Sequence, residues 1–282
     1  MDRCAKSLLD GIIDYAGIFP PAKLPIDEAL GRFLGHLSSE EGWMLARFVC
    51  PVARLEELDP LLADTDSPHS PITIAALGHG GGTLEEYLAT VGREGTRITT
   101  FSTRHSGRAV VDTFEVGLPE AGGAAVAVNQ AWGRLTKHGS LPLTPFFEVS
   151  LLGDWRQRLP AAAAAVRDAT CRATAVPLKA TQGLHHAVRQ HDPDLGAMVH
   201  GFINLYAASV LTHVHDLPVR TLIEIVSEVD PTAFTVGPEH FAWRDYQASA
   251  DEIVTARRTV LTTFGSCSFS EPRDDLKNLG IG

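Results

Sequence analysis

Cysteine is scarce in this chain, and the few present are not paired. The 282 residues contain four (Cys4, Cys50, Cys171 and Cys267), widely separated and with no CxxC spacing. That argues against a disulfide framework or a zinc ribbon and suits reduced thiols in a cytosolic protein. No run approaches the ~18 apolar residues that would suggest a membrane span. The opening MDRCAKSLLDGIIDYAGIF lacks a charged segment followed by a long apolar stretch and a small-residue cleavage site. A cytoplasmic location without membrane attachment is therefore expected. Basic residues are also in deficit, with 24 Lys and Arg against 34 Asp and Glu and a net charge of −10. This balance argues against a nucleic-acid or anionic-membrane partner, although it leaves room for a local basic pocket and a small acidic substrate.

Long linkers and internal repeats are absent too, and the one low-complexity stretch is a run of five alanines (161–165). Hydrophobic residues make up 44% of the chain, enough for a full core, while charged residues are 21% and aromatics 7%. The length suits a single α/β barrel, which typically needs ~250 residues. One domain over residues 1–282 is expected.

Short β-rich runs alternate with helical patterns, as in a parallel sheet. Strands are expected at WMLARFV (43–49), ITIAAL (72–77), 97–102, TFEVGL (113–118), PFFEVS (145–150) and AVPLKAT (175–181). Helices are expected at 55–63, after Thr83 with Glu86 completing a capping box, and at 124–137, 154–170, 198–214, 217–226 and 248–261. The start of the 198–214 segment, HGFINLY, also fits a strand. The last residues read as a polar tail. About seven strands result, so the expected fold is α/β and TIM-barrel-like, (β/α)8 with one strand degenerate or missing; an open doubly wound sheet is the alternative.

Parallel sheets gather function at the carboxyl ends of their strands. Glu115, Glu148 and Lys179 are charged residues within otherwise apolar strands, where an unpaired charge is costly. Each either faces a solvated layer or serves chemistry. Lys179 is the most suggestive, because burial frees an amine for Schiff-base or general-base work, whereas a carboxylate partner would keep it charged. Thr181-Gln182-Gly183 then forms a polar turn leading to His185 and His186. Adjacent residues point in different directions, so at most one of the two histidines shares a pocket with Lys179. Histidine suits proton transfer, and a His pair beside a carboxylate also suits a metal.

His200, Asn204, His213 and His215 form a second group. The HxH spacing of 213–215 falls in a helical pattern, where residues two apart do not share a face, and reads as structural. GHGGG (78–82) precedes a helix and has amides for a phosphate, but no GK[ST] follows, and a flexible loop is the better reading. Cys267, between Ser266 and Ser268, is either a reactive thiol or an inert one in a small-residue turn. DYAGIFPPA (14–22) brings Asp14 and Tyr15 into an irregular segment, either a lid or a plug.

Three segments, DYAGIFPPA (14–22), LKATQGLHH (178–186) and FGSCSFSEPRDDLKNLG (264–280), resemble an uncharacterised bacterial family. Its members carry DYAGLFPPA, FKATAGLHHP and a closing FGSCSF-x-EP-x-x-DL-x-x-LG, and the likeness extends to the FFEV and HGFIN stretches. The resemblance implies common descent without naming a reaction. This chain lacks the family's K-[IL]-R-T-G-G segment between the FFEV and lysine strands, which accounts for the missing strand and removes an arginine and a glycine pair suited to an anion. Gln182 and Ala187 stand where the family has Ala and Pro.

Together these features lead to an enzyme of lyase or isomerase type acting on a small carbonyl or carboxylate compound. Lys179, His185, His186 and Glu148 are its expected catalytic residues. Asp14, Tyr15, Glu115, Thr181, Asn204, Ser266, Cys267 and Ser268 are expected to line the site. A metal-dependent hydrolase or lyase with His and Glu ligands is one alternative, and a non-catalytic binding or accessory barrel is another. No metal ligand set and no cofactor is assigned. Barrels of this class often pair, so a homodimer is the assembly to look for.

Overall fold

A computed structural model of the protein describes residues 2–63, 68–79, 84–116, 147–150, 178–181, 184–193 and 196–281. The chain divides into two compact units interleaved in sequence. The first contains Met1–Ile13, Trp43–Leu45 and Phe146–Gly282, and the second Asp14–Gly42 and Ala46–Pro145. The fold is mixed α/β with parallel strands, as the alternating pattern predicts.

The second unit is built on alternating strands and helices. Strand β1 (Ile13–Tyr15) leads in from the first unit, to which α1 (Arg3–Leu9) belongs, and helix α2 (Ile26–Leu37) follows. Ile26, Ala29, Leu30 and Phe33 recur at i, i+3, i+4 and i+7 and are the buried face of α2. Then come β2 (Leu45–Pro51), α3 (Leu58–Ala63), β3 (Ile72–Gly78), α4 (Leu84–Arg104) and β4 (Ala109–Val116). Strand β3 lies between β2 and β4, parallel to both. Tyr15, Phe33 and Phe48 close the core as a ring cluster with centroids 5.7–6.4 Å apart.

Residues 97–102, expected as a strand, are the last turns of α4. Val91, Ile98 and Phe101 bury one face at helical spacing. The hydroxyls of Thr96, Thr99, Thr100 and Thr103 each donate to the carbonyl four residues earlier, at 2.8–3.0 Å. Threonine's β preference thus yields to an amphipathic face and to back-bonding within the helix.

In the first unit, β5 (Phe147–Ser150), β6 (Leu178–Thr181) and β12 (Leu261–Ser266) are parallel neighbours in the order β12-β6-β5. The register sets Glu148 beside Lys179 and Ser150 beside Thr181. A short antiparallel pair, β7 (Gln190–Asp192) and β8 (Ala197–Val199), precedes α5 (Phe202–His215) and α6 (Val219–Ser227). A three-stranded antiparallel sheet, β9 (Phe234–Val236), β10 (His240–Trp243) and β11 (Tyr246–Ser249), leads to α7 (Ala250–Thr259), which Ser249 and Glu252 start with a capping box. Helix α8 (Ser270–Asn278) follows β12.

The closing segment is therefore not a simple polar tail. Strand β12 has little apolar content, yet Thr263, Phe264 and Ser266 are buried, and Phe264 stacks on Phe202 at 4.7 Å. Expected features at Thr83, 124–137 and 154–170, most of GHGGG, Cys171 and Gln182 fall outside the described residues. Among the described residues, no helix is long and apolar enough to cross a membrane.

Candidate active site

Strands β6 and β12 are parallel neighbours, so the segments leaving their carboxyl ends emerge side by side. From β6 the chain passes to His185 and His186; from β12 it turns at Cys267 into α8. The histidine loop is anchored by apolar residues on both flanks, Leu184 (0% exposed) and Ala187 (1%), which leaves the two imidazoles between them at intermediate exposure.

The carbonyls of His186 and Ala187 accept from the amides of Phe202 and Ile203 at 3.0 and 2.9 Å, satisfying otherwise orphaned donors at the start of α5. Gly201 makes this approach feasible. A Cβ there would collide with Asn204 Oδ1, the Ala187 carbonyl and the Arg189 amide.

The turn at Cys267 is shaped by its serine neighbours. Ser266 Oγ donates to the Ser268 carbonyl at 2.7 Å and accepts from the Ser268 amide, folding the chain around the thiol. Ser268 Oγ in turn accepts from the Glu271 amide in the first turn of α8. Both serines shape the turn, and Cys267 remains half-buried at its tip.

Three side chains meet here in a line. Cys267 Sγ lies 3.8 Å from His185 Nε2, and His185 Nδ1 lies 2.6 Å from Glu271 Oε2. Burial alone would push the His185 imidazolium down, but Cys267 and Glu271 outweigh it and hold the group up at about 9. At neutral pH both ring nitrogens therefore carry protons, one directed to the carboxylate and the other to the sulfur. A thiol, a histidine and an orienting carboxylate form the arrangement that activates a nucleophile, and such contacts are often loose before substrate binds.

The other described cysteines are unlike this one. Cys4 and Cys50 are fully buried, and burial pushes the Cys50 thiol up to about 12.

Part of the expected site is gathered within the first unit. His185, His186, Ser266, Cys267 and Ser268 come together, with Lys179 on the adjoining strand and 1% exposed. For Glu148 and Thr181 the structure gives the backbone register described above.

Asn204 is spent on the scaffold. Its Oδ1 accepts from the Arg189 amide at 2.8 Å, and its Nδ2 donates to the carbonyls of Ile225 and Glu228 at 2.9 and 2.8 Å. Asp14, Tyr15 and Glu115 belong to the second unit. There Asp14 is fully buried against Arg47 at 3.3 Å, Tyr15 is packed among aromatic rings, and Glu115 is 4% exposed. Both Asp14 and Tyr15 are buried in that unit.

Glu271 is the functional candidate that the sequence expectations omit. The available signal was its place four residues after Cys267, in the first turn of a helix that begins beyond the thiol. Among the described residues, no group of three or more His, Cys, Asp and Glu side chains is arranged to hold a metal ion. Comparison of this chain with protein-family models, with curated proteins and with solved structures finds no match.

Proposed function

We propose that this protein is an enzyme acting on a small carbonyl or carboxyl compound, with Cys267 as nucleophile, His185 as acid and base, and Glu271 as the orienting carboxylate. The observation that carries this reading is the Cys267–His185–Glu271 line, at 3.8 and 2.6 Å. In the simplest sequence, Cys267 acts as a thiolate paired with the His185 imidazolium: Sγ attacks an acyl carbon and the bond to the leaving group breaks. The leaving group takes the proton from the His185 imidazolium, and a thioester is left on the enzyme. Neutral His185 then takes a proton from water, whose oxygen attacks the thioester; the acid departs and Cys267 leaves as a thiolate beside the restored imidazolium. Glu271 keeps the ring aimed and its Nδ1 protonated throughout.

The test uses p-nitrophenyl acetate as a generic acyl donor. Mass spectrometry should find one acetyl group on Cys267 after rapid quenching. Cys267→Ala should lose that adduct, with turnover reduced by about a thousandfold or more. A folded wild-type protein that never acquires the adduct at Cys267, or a Cys267→Ala variant that turns over normally, would sink the acyl-transfer mechanism.

A second reading, carbonyl lyase or isomerase chemistry through Lys179, has one observation in its favour: a lysine 1% exposed beside the register position of Glu148. Borohydride trapping with small aldehydes and ketones, followed by peptide mapping, tests it. The finer fold assignment, a (β/α)8-type barrel, is likewise a proposal. It is supported by the parallel pairing of strands within each unit.

A further inference from the structure

Two adjacent histidines meet two carboxylates one helical turn apart. Glu271 and Asp275 are i and i+4 on α8 and so share a face of the helix. His185 meets the first. His186 Nδ1 lies 3.1 Å from Asp275 Oδ2, and the same oxygen accepts the Ala187 amide at 3.0 Å.

Asp275 thus grips the loop at two points, both within two residues of His185. On its other side the loop is held by the amides of Phe202 and Ile203. Consecutive residues of an extended loop point apart, so seating His186 on Asp275 determines where His185 points. Without that second anchor, the His185 ring would sample orientations in which Nε2 leaves the sulfur. A few tenths of an ångström matter here, because the Cys267 contact is already at the long end for sulfur, 3.8 Å.

From this geometry we infer that Asp275 is a positioning residue for the nucleophile, acting on Cys267 through His186, Ala187 and then His185. The inference rests on the reading of Cys267 as nucleophile. It gives the histidine pair a division of labour, with His185 facing the thiol and its carboxylate while His186 anchors the loop.

The experiment compares wild type, Asp275→Ala and Asp275→Asn. Two quantities are read: the rate of Cys267 alkylation by iodoacetamide at neutral pH, and the NMR titration of the His185 ring. The groups facing that ring are Cys267 and Glu271. In wild type the ring should titrate near 9. Asp275→Ala should move that titration down towards 6.5 and slow alkylation roughly tenfold, the size expected when a hydrogen bond to a charged group is lost.

Asp275→Asn keeps an oxygen for both the Ala187 amide and the His186 ring, and should stay within about twofold of wild type. A folded Asp275→Ala protein with unchanged alkylation and unchanged titration would overturn the inference, as would an Asn variant as impaired as the Ala variant. Should Asp275→Ala fail to fold, His186→Ala removes one of the two anchor bonds; slowed alkylation supports the inference and an unaltered rate overturns it. Failure of the nucleophile reading would show earlier and separately, as a wild-type Cys267 no more reactive than the thiol of the unfolded chain.

Discussion

The two units each contain a linear cluster of three polar side chains, and the clusters differ in what they can do. In the second unit Arg47 bridges Asp14 at 3.3 Å and Asp112 at 2.7 Å, with Asp14 fully buried. Burial opposes the Arg47 charge, but the two carboxylates outweigh it and raise the guanidinium further above its already high range. The guanidinium is therefore charged across any ordinary pH. In the first unit Cys267, His185 and Glu271 stand in a similar line, yet the central group titrates near 9, the outer carboxylate is 56% exposed and the thiol is half-buried. A guanidinium held between two carboxylates ties strands together. A titratable group between a thiol and a wet carboxylate can move a proton. Having three members in line is common to both clusters; what separates structure from chemistry is protonation range and access.

The largest effect that would sharpen this contrast is expected from Asp14→Ala. It leaves Arg47 without its buried partner and should cost about 3 kcal/mol in urea unfolding, at the low end for breaking a buried pair because Arg47 keeps some solvent contact. Alkylation of Cys267 in the folded variant should be unchanged; a large fall in that rate would break the division of roles.

Next in size is a pH effect. The folded-state value for His185 lies above its unfolded value of 6.5. Its contribution is therefore fully present below about 6.5 and is lost as pH rises through about 9. His185→Gln should flatten this stretch of the stability profile, whereas Asp14→Ala should leave its slope intact.

The smallest effect is expected from Glu271→Gln. It keeps the shape of the side chain but removes the charge that supports the imidazolium, so the His185 titration should fall and turnover should drop about tenfold. Half-exposure of Glu271 limits the effect, since solvent already screens that carboxylate.

Much of the fold was legible where apolar periodicity is strong. Ile72, Ile74, Ala75 and Ala76 make β3 recognisable, and α5 is readable from its length and near-total apolarity. Two elements were hidden for opposite reasons. The end of α4 is rich in threonine and imitates a strand until its hydroxyls are seen bonding back along the helix. Strand β12, Leu-Thr-Thr-Phe-Gly-Ser, imitates a tail because its burial comes from neighbours such as Phe202 and Tyr206, whose hydroxyl donates to the Thr262 carbonyl at 3.0 Å. The site followed the same rule. His185, His186 and Cys267 are reactive residue types in short polar loops and so attract notice, while Glu271 and Asp275 sit in a charged helix where acidic residues ordinarily mean solvent.

The sequence by itself determined the α/β alternation, the apolar strands and the segments in which chemistry-bearing residues cluster, because these follow from local pattern and side-chain chemistry. Only the tertiary structure decided that Cys267 meets His185 across 82 positions of chain, and that Asn204 bonds to three scaffold backbone groups. The parallel pairing of β6 with β12 is the physical reason. It carries two segments remote in sequence to the same strand ends, and no periodicity within either segment encodes that register.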